Sequence, residues 1–415
     1  MVWPQLLPDG RHFLYQLIGV NASHSGVYLG TIGSPESVRL VDAESAAVYS
    51  PPGFLVYRRA DMLVAEVFDL SRLSLGGRPV VLSHHAPGPS WQNGDVISAS
   101  RNVLAFRDVS VSQALHLVNR TGMEQQKIEL PTNVANLRLS PDQKQVLWAG
   151  STWDTHGLWV ADLERRQSTR LEADGIAPIW APDGQHVAFT ANRELDVYVR
   201  PLADGNVRSL IKDPVRKELS DWSPDGRDII YSRIDPETKF DLWVWSLSEQ
   251  SAKPLLRTPF NETQALISPD GRRIAYVSDA SGLPEVYVRT YPQLKDVQRI
   301  SSGGGAQPQW SRNQSELFYL SPSNALMVTS ITHAGGASFG TPRQLFRTSI
   351  IGHPFYIRDS YAVTADGQTI VYAAPAVDQG TRISLIINWA AGLNNGASER
   401  LTAARWISLP ELTRR

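Results

Sequence analysis

The chain has 415 residues, 42% hydrophobic and 20% charged, with 40 Lys and Arg against 41 Asp and Glu. That balance supports a folded protein with a large core and excludes a surface built as a whole for nucleic acid or an anionic membrane. There is no cysteine, so disulfides, zinc–cysteine sites, iron–sulfur clusters and cysteine nucleophiles are excluded.

The opening MVWPQLLPDGRHFLY is interrupted by Pro4, Pro8, Asp9 and Gly10. It lacks the continuous apolar stretch of a signal peptide. PQLLPDGRHFLYQL, from Pro4, sets a pattern that returns along the chain: an apolar run, a Pro-Asp-Gly turn, a second apolar run. Degenerate copies follow in AVYSPPGFLVYRR (Ala47–Arg59) and VISASRNVLAFRD (Val96–Asp108). Between them, SHHAPGPSWQNGD carries the adjacent pair His84 and His85. Neighbouring residues on a strand face opposite ways, so these read as solvated loop histidines, not as ligands to one metal. Trp91 in this loop and Trp153 further on fall outside the repeat, which makes them aromatic binding candidates.

A hairpin is expected over Leu115–Leu130. Clear copies then follow in LRLSPDQKQVLWAG (Leu137–Gly150), PIWAPDGQHVAFTA (Pro178–Ala191), SDWSPDGRDIIYSR (Ser220–Arg233) and ALISPDGRRIAYVS (Ala265–Ser278). Looser ones begin at Pro308 and Tyr361. From residue 142 the turn Asp or Asn recurs at steps of 41, 42, 45, 43 and 53, which makes nine copies in all at about 43 residues each. Within a copy, Pro presets the first turn corner and Gly takes the left-handed one. A third strand follows, with Asp196, Asp241 or Glu285 just before it in three copies, and a fourth closes the unit. Four short antiparallel strands per ~40–45 residues is a β-propeller blade, which needs a neighbour on each face. Trp180, Trp222 and Trp310 share one repeat position, and Trp159 and Trp243 another, as packing between blades requires.

Gly336-Ala337-Ser338-Phe339-Gly340 matches G-x-S-x-G, with His333 nearby. Thr341-Pro342 follows at once, so the strand–turn–helix of a nucleophile elbow is missing and the string reads as a loop. The turn aspartates lack the alternating acidic spacing of a calcium loop. No catalytic residue, metal site or cofactor is expected. The longest late apolar run, Ile383–Trp389, is too short to span a membrane. The tail, 395–415, is expected to be mobile.

Nine copies exceed the usual ~4–8 blades of one ring. The preferred partition is a partial propeller of two to three degenerate blades over 1–108 and a six-bladed propeller over 109–394. The ring would close by pairing the Leu115–Leu130 hairpin with the chain near Ile383–Asn388. The rival is one eight-bladed ring.

These strings, with DPETKFDLWVWSL (Asp235–Leu247), SDASGLPEVYVRTYP (Ser278–Pro292) and LIINWAAGL (Leu385–Leu393), resemble TolB-type, WD-like propeller repeats. They look most like the propeller that follows the kinase and membrane span of bacterial receptor serine/threonine kinases. The kinase motifs themselves are absent from the sequence. In those relatives further repeats precede the Pro4 copy, so a truncated product, a split gene and a misplaced start codon are all open readings. The resemblance implies a sensor-type propeller outside the cytoplasmic membrane, although no export signal is written in this chain.

The expected function is non-catalytic binding of a protein, a peptide or a small polar ligand, without nucleic acid. Two alternatives are a TolB-like interaction scaffold and a propeller hydrolase or lyase with a channel active site. Convergence of three or more Asp, Glu, His or Arg side chains in one channel pocket would favour the enzyme. The expected binding residues lie on loops between blades: Arg216, Lys217, Glu218, Asn261, Glu262, Gln307 and Arg358.

Overall fold

The computed structural model describes residues 2–17, 26–43, 45–59, 62–83, 97–108, 113–150, 157–191, 195–203, 205–213, 215–333, 337–350, 359–376, 382–390, 393 and 405–409. Every element among them is a strand, and none is a helix long and apolar enough to cross a membrane. The chain divides into two compact units, Ser112–Ala376 and Met1–Val111 with Val377–Arg415.

Ser112–Ala376 is a closed ring of six blades. Five are sheets of strands in sequence order, with innermost strands Val134–Leu139, Ile176–Trp180, Lys217–Trp222, Glu262–Ile267 and Ala306–Trp310. The sixth is composite. Tyr361–Val363 and Thr369–Pro375 come from the last copy; Gln113–Asn119 and Glu124–Glu129 come from the start of the unit. Each innermost strand touches the next, and Tyr361–Val363 returns to Val134–Leu139. The ring therefore joins early and late segments of one unit by hydrogen bonds, Gln113 opposite Pro375 through Asn119 opposite Thr369.

This corrects the expected closure. The hairpin pairs with Thr369–Pro375, the second strand of the last copy, on the side where other blades use their own third strand. Leu115 and Ile128 of the hairpin then share a core with Leu137, Trp148, Val371 and Ala373. The downstream strand Arg382–Ile387 pairs instead with Val103–Asp108. The closed ring among the described residues has six blades, not eight.

The turns explain their own sequence. Ser140, Ser223, Ser268 and Thr364 donate side-chain hydroxyls to Asp142, Asp225, Asp270 and Asp366 at 2.6–2.7 Å. The same Asp oxygens accept the backbone N–H two residues on. Those bonds hold the Asp142, Asp225 and Asp366 carboxyls below the usual carboxylate range. Gly184, Gly226, Gly271 and Gly367 then take φ of 67–76°, the left-handed corner that favours glycine. The turn carboxylates are thus occupied by the turn itself.

Among its described residues the second unit contains three four-stranded sheets. Two follow sequence order, with innermost strands Val2–Leu6 and Val48–Ser50. The third pairs Ile97–Ala99 and Val103–Asp108 with Arg382–Ile387 and Arg405–Leu409. Arg405–Leu409, expected in a mobile tail, is thus a paired strand. One core joins the first two sheets around Leu14, Val27, Leu55 and Tyr57. Another joins the second to the third around Phe54, Leu104, Phe106 and Ile386. Trp389 is fully buried there and donates its indole N–H to Ser100 O at 2.8 Å.

The closing strand sets one expectation. Leu115 is fully buried at the joint, so Leu115→Ala should lower unfolding free energy in urea by about 2–4 kcal/mol. Met123→Ala, at the exposed tip of the same hairpin, should change it by less than about 0.5 kcal/mol.

Candidate functional site

The innermost strands are not regular. Each of the first five carries a bulge, between 135 and 138, 176 and 179, 219 and 221, 263 and 266, and 306 and 309. Asn136, Ala177, Gln264, Gln307 and Asp359 sit there, or at the matching point of the sixth blade, with φ of 46–56°. Bulges re-aim side chains and release backbone groups from the ladder. The released groups pair from blade to blade. Gln307 N donates to Gln264 Oε1 at 2.7 Å, and Ser360 N donates to Gln307 Oε1 at 2.8 Å. Leu137 N donates to Asp359 O.

At the end of the strands that carries the Pro-Asp-Gly turns, a cavity of about 500 Å³ opens among all six blades. Its wall includes Trp180, Trp222 and Trp310, with Pro141, Pro182, Pro224 and Pro269 from the turns. Trp180 and Trp310 donate their indole N–H to Arg138 O and Leu266 O of the preceding blade, at 3.2 and 3.0 Å. Trp222 donates to Gly226 O within its own turn. The indoles are thus fixed by hydrogen bonds while part of their surface lines the cavity.

Three charged residues also line it: Arg138, Asp221 and Arg312. Arg138 pairs with Asp359 at 2.8 Å and donates to Ser220 O at 2.6 Å. Arg312, exposed at the rim, donates to Pro141 O. Asp221 accepts from Ile267 N at 2.7 Å and from Trp222 N at 2.9 Å. Burial pushes its carboxyl up to about 7, against the opposing pull of Arg138 and these two N–H groups, with Asp359 adding a further push upward.

None of the expected binding residues that the structure describes lines this cavity, and Lys217, Glu218, Glu262 and Gln307 lie not on loops but near the starts of innermost strands, with their side chains largely engaged there. Lys217 is fully buried and donates to Asp213 O and Val215 O, and burial lowers its ammonium pKa. Arg216 pairs with Glu218 at 3.1 Å. Asn261 donates to Asp279 at 2.7 Å. Gln307 holds Ser360. Glu262, 1% exposed, accepts from Thr258 at 2.5 Å and Ser278 at 3.4 Å. Burial raises its carboxyl to about 7; the bond from Thr258 opposes this, and nearby Asp241 adds to it. Arg358 lies outside the described residues, as do His84, His85, Trp91 and Trp153.

The repeated acids before the third strands have a structural use. Asp196 accepts from Asp213 N at 3.0 Å, Asp241 from Thr238 at 2.6 Å, and Glu285 from Gly304 N at 3.0 Å. Ser338 is in a two-residue strand and bonds Thr332 at 2.6 Å; His333 meets Gln314 O at 3.0 Å. Neither contact joins Ser338 to His333.

The charged residues Arg138 and Asp221 were missed from sequence, yet a signal was there. Two residues before the Ser, Ala or Thr that opens each turn, the six copies read Arg138, Ile179, Asp221, Leu266, Gln309 and Ala362. A full charge at a register position that otherwise holds apolar or neutral residues marks the axis.

No family model matches the chain, and no curated protein matches it. Among solved structures it is similar to a putative TolB from Agrobacterium tumefaciens, at 19% identity and TM-score 0.53, over 65% of this chain and 99% of that one. TolB from Acinetobacter baumannii matches at 17% identity and TM-score 0.45, over 70% and 82%. An oligogalacturonate lyase in complex with manganese matches at 14% identity and TM-score 0.43, over 71% and 82%. At such identity the first likeness establishes the propeller fold alone.

Glu262 carries a pH prediction. An unfolded glutamic acid ionises near ~4.3, whereas this one holds its proton to about 7 in the fold. Between those values the unfolded chain binds fewer protons, so this group costs stability as pH rises. Glu262→Gln should remove that cost. Its unfolding free energy in urea should gain about 1–3 kcal/mol over the parent between pH 5 and pH 8.

Proposed function

We propose that the six-bladed unit is a non-catalytic binding propeller that receives a polypeptide segment in its aromatic mouth. The carrying observation is the cavity of about 500 Å³ walled by Trp180, Trp222 and Trp310 and joined to Arg138 and Asp221. Fixed indoles supply large contact area at little entropic cost, and a few polar groups fix orientation. Arg216, Lys217, Glu218, Asn261, Glu262 and Gln307 are engaged near the starts of the inner strands, and none of them lines the mouth.

The sequence resemblance to receptor-kinase propellers supports a finer reading: a sensor or TolB-like scaffold working outside the cytoplasmic membrane. An enzyme is the second reading. It is favoured by the convergence of Arg138, Asp221 and Asp359, with Asp221 titrating near 7. Binding is preferred because Arg138 and Asp359 are paired with each other and, among the described residues, no second acid or base is hydrogen-bonded to Asp221 to complete a proton relay.

Panning a random peptide display library against the intact protein tests the proposal. Enriched peptides should bind at least tenfold more weakly to the Trp222→Ala, Trp310→Ala double variant. Peptides indifferent to that change, on a variant with parental circular dichroism, would sink it.

A further inference from the structure

Asp221 is the one carboxylate lining the mouth. Among the described residues no lysine, arginine or histidine forms an ion pair with it. Arg138, the cation that acts on it, is bound to Asp359 and to Ser220 O. The charges that act on Asp221 are Arg138, which favours its ionised form, and Asp359, which opposes that more weakly. The adjoining inner strand Ile176–Trp180 carries no titratable side chain, and Glu262–Ile267 carries only Glu262 at its far end. Tyr291, which bonds Asp228, feels Asp221 more weakly. Each Asp221 oxygen accepts one backbone N–H, which leaves lone pairs free.

Arg312 is the competing charge, but it stands exposed at the rim, where water screens it. Asp221 is enclosed by protein except where it meets the cavity, and an enclosed charge acts more strongly than an exposed one. Indole faces beside it favour a cation further.

Building on the peptide reading above, we propose that the mouth selects a basic group: a lysine or arginine side chain, or the α-amino group, of its polypeptide partner, paired with the Asp221 carboxylate beside Trp222. The partner's ammonium takes the place of the proton on Asp221. Binding therefore releases one proton below about pH 7, because burial holds that proton until then.

The test uses three capped tripeptides, acetyl-Gly-X-Gly-amide with X as lysine, norleucine or glutamate, titrated into the full chain and followed by tryptophan fluorescence. The lysine probe should bind at least tenfold tighter than norleucine, and glutamate weakest. Its affinity should rise about tenfold from pH 6 to pH 8, as expected for displacing a proton of pKa near 7, since the lysine amine stays charged throughout. Asp221→Asn should abolish both the preference and the pH dependence, while Asp221→Glu keeps the preference; circular dichroism of both checks the fold. Equal binding of lysine and norleucine, or a preference that survives Asp221→Asn, overturns the basic-group assignment and leaves the peptide reading standing. If none of the probes binds, and peptides from the display library also ignore the tryptophan variant, both fall.

Discussion

A four-stranded blade with two apolar faces is stable only between two neighbours. Everything in the six-bladed unit follows from satisfying that condition for the first and last blades as well as for those between. Gln113–Asn119 supplies the solution by entering the last blade as its third strand. A single ladder then ties residues some 250 positions apart, and the two ends of the array cover each other. Once the ring is closed, six innermost strands must share a narrow axis. They do so with bulges and left-handed residues, and the backbone groups so released bond across blades.

The mouth is a by-product of the same constraint. Where the strands end, the turns splay outward and the space between them is lined by the last residue or two of each inner strand. Tryptophan at that position serves packing and exposure together. Trp180 and Trp310 each bond to the blade before and still line the opening. Sequence repetition alone points to the first role; the second needs the ring.

Much of the fold was legible because its signals are local. Pro-Asp-Gly turns, alternating strands and the period of about 43 residues lie within single copies. The closing strand was misplaced because pairing across the ring depends on which apolar faces meet. Ile383–Ile387 is as good a strand as Thr369–Pro375 when read alone. The expected binding residues are polar groups between blades, and polar groups there are often consumed by the connection. Lys217 clamps carbonyls of its own loop, and Glu262 accepts from Thr258 and Ser278. Asp221 escaped notice because a lone carboxylate in a strand means little until the fold shows that Arg138, its natural partner, is already taken by Asp359.

The third sheet outside the six-bladed ring is woven from both halves of the chain, Val103–Asp108 beside Arg382–Ile387. Its two contributions are separated by the whole of Ser112–Ala376. On a ribosome the chain emerges from its N-terminus, so every strand of the six-bladed ring is made before Arg382–Ile387, the second partner of Val103–Asp108, appears. The ring's own strands can pair while that sheet still waits with an open edge for strands made after them.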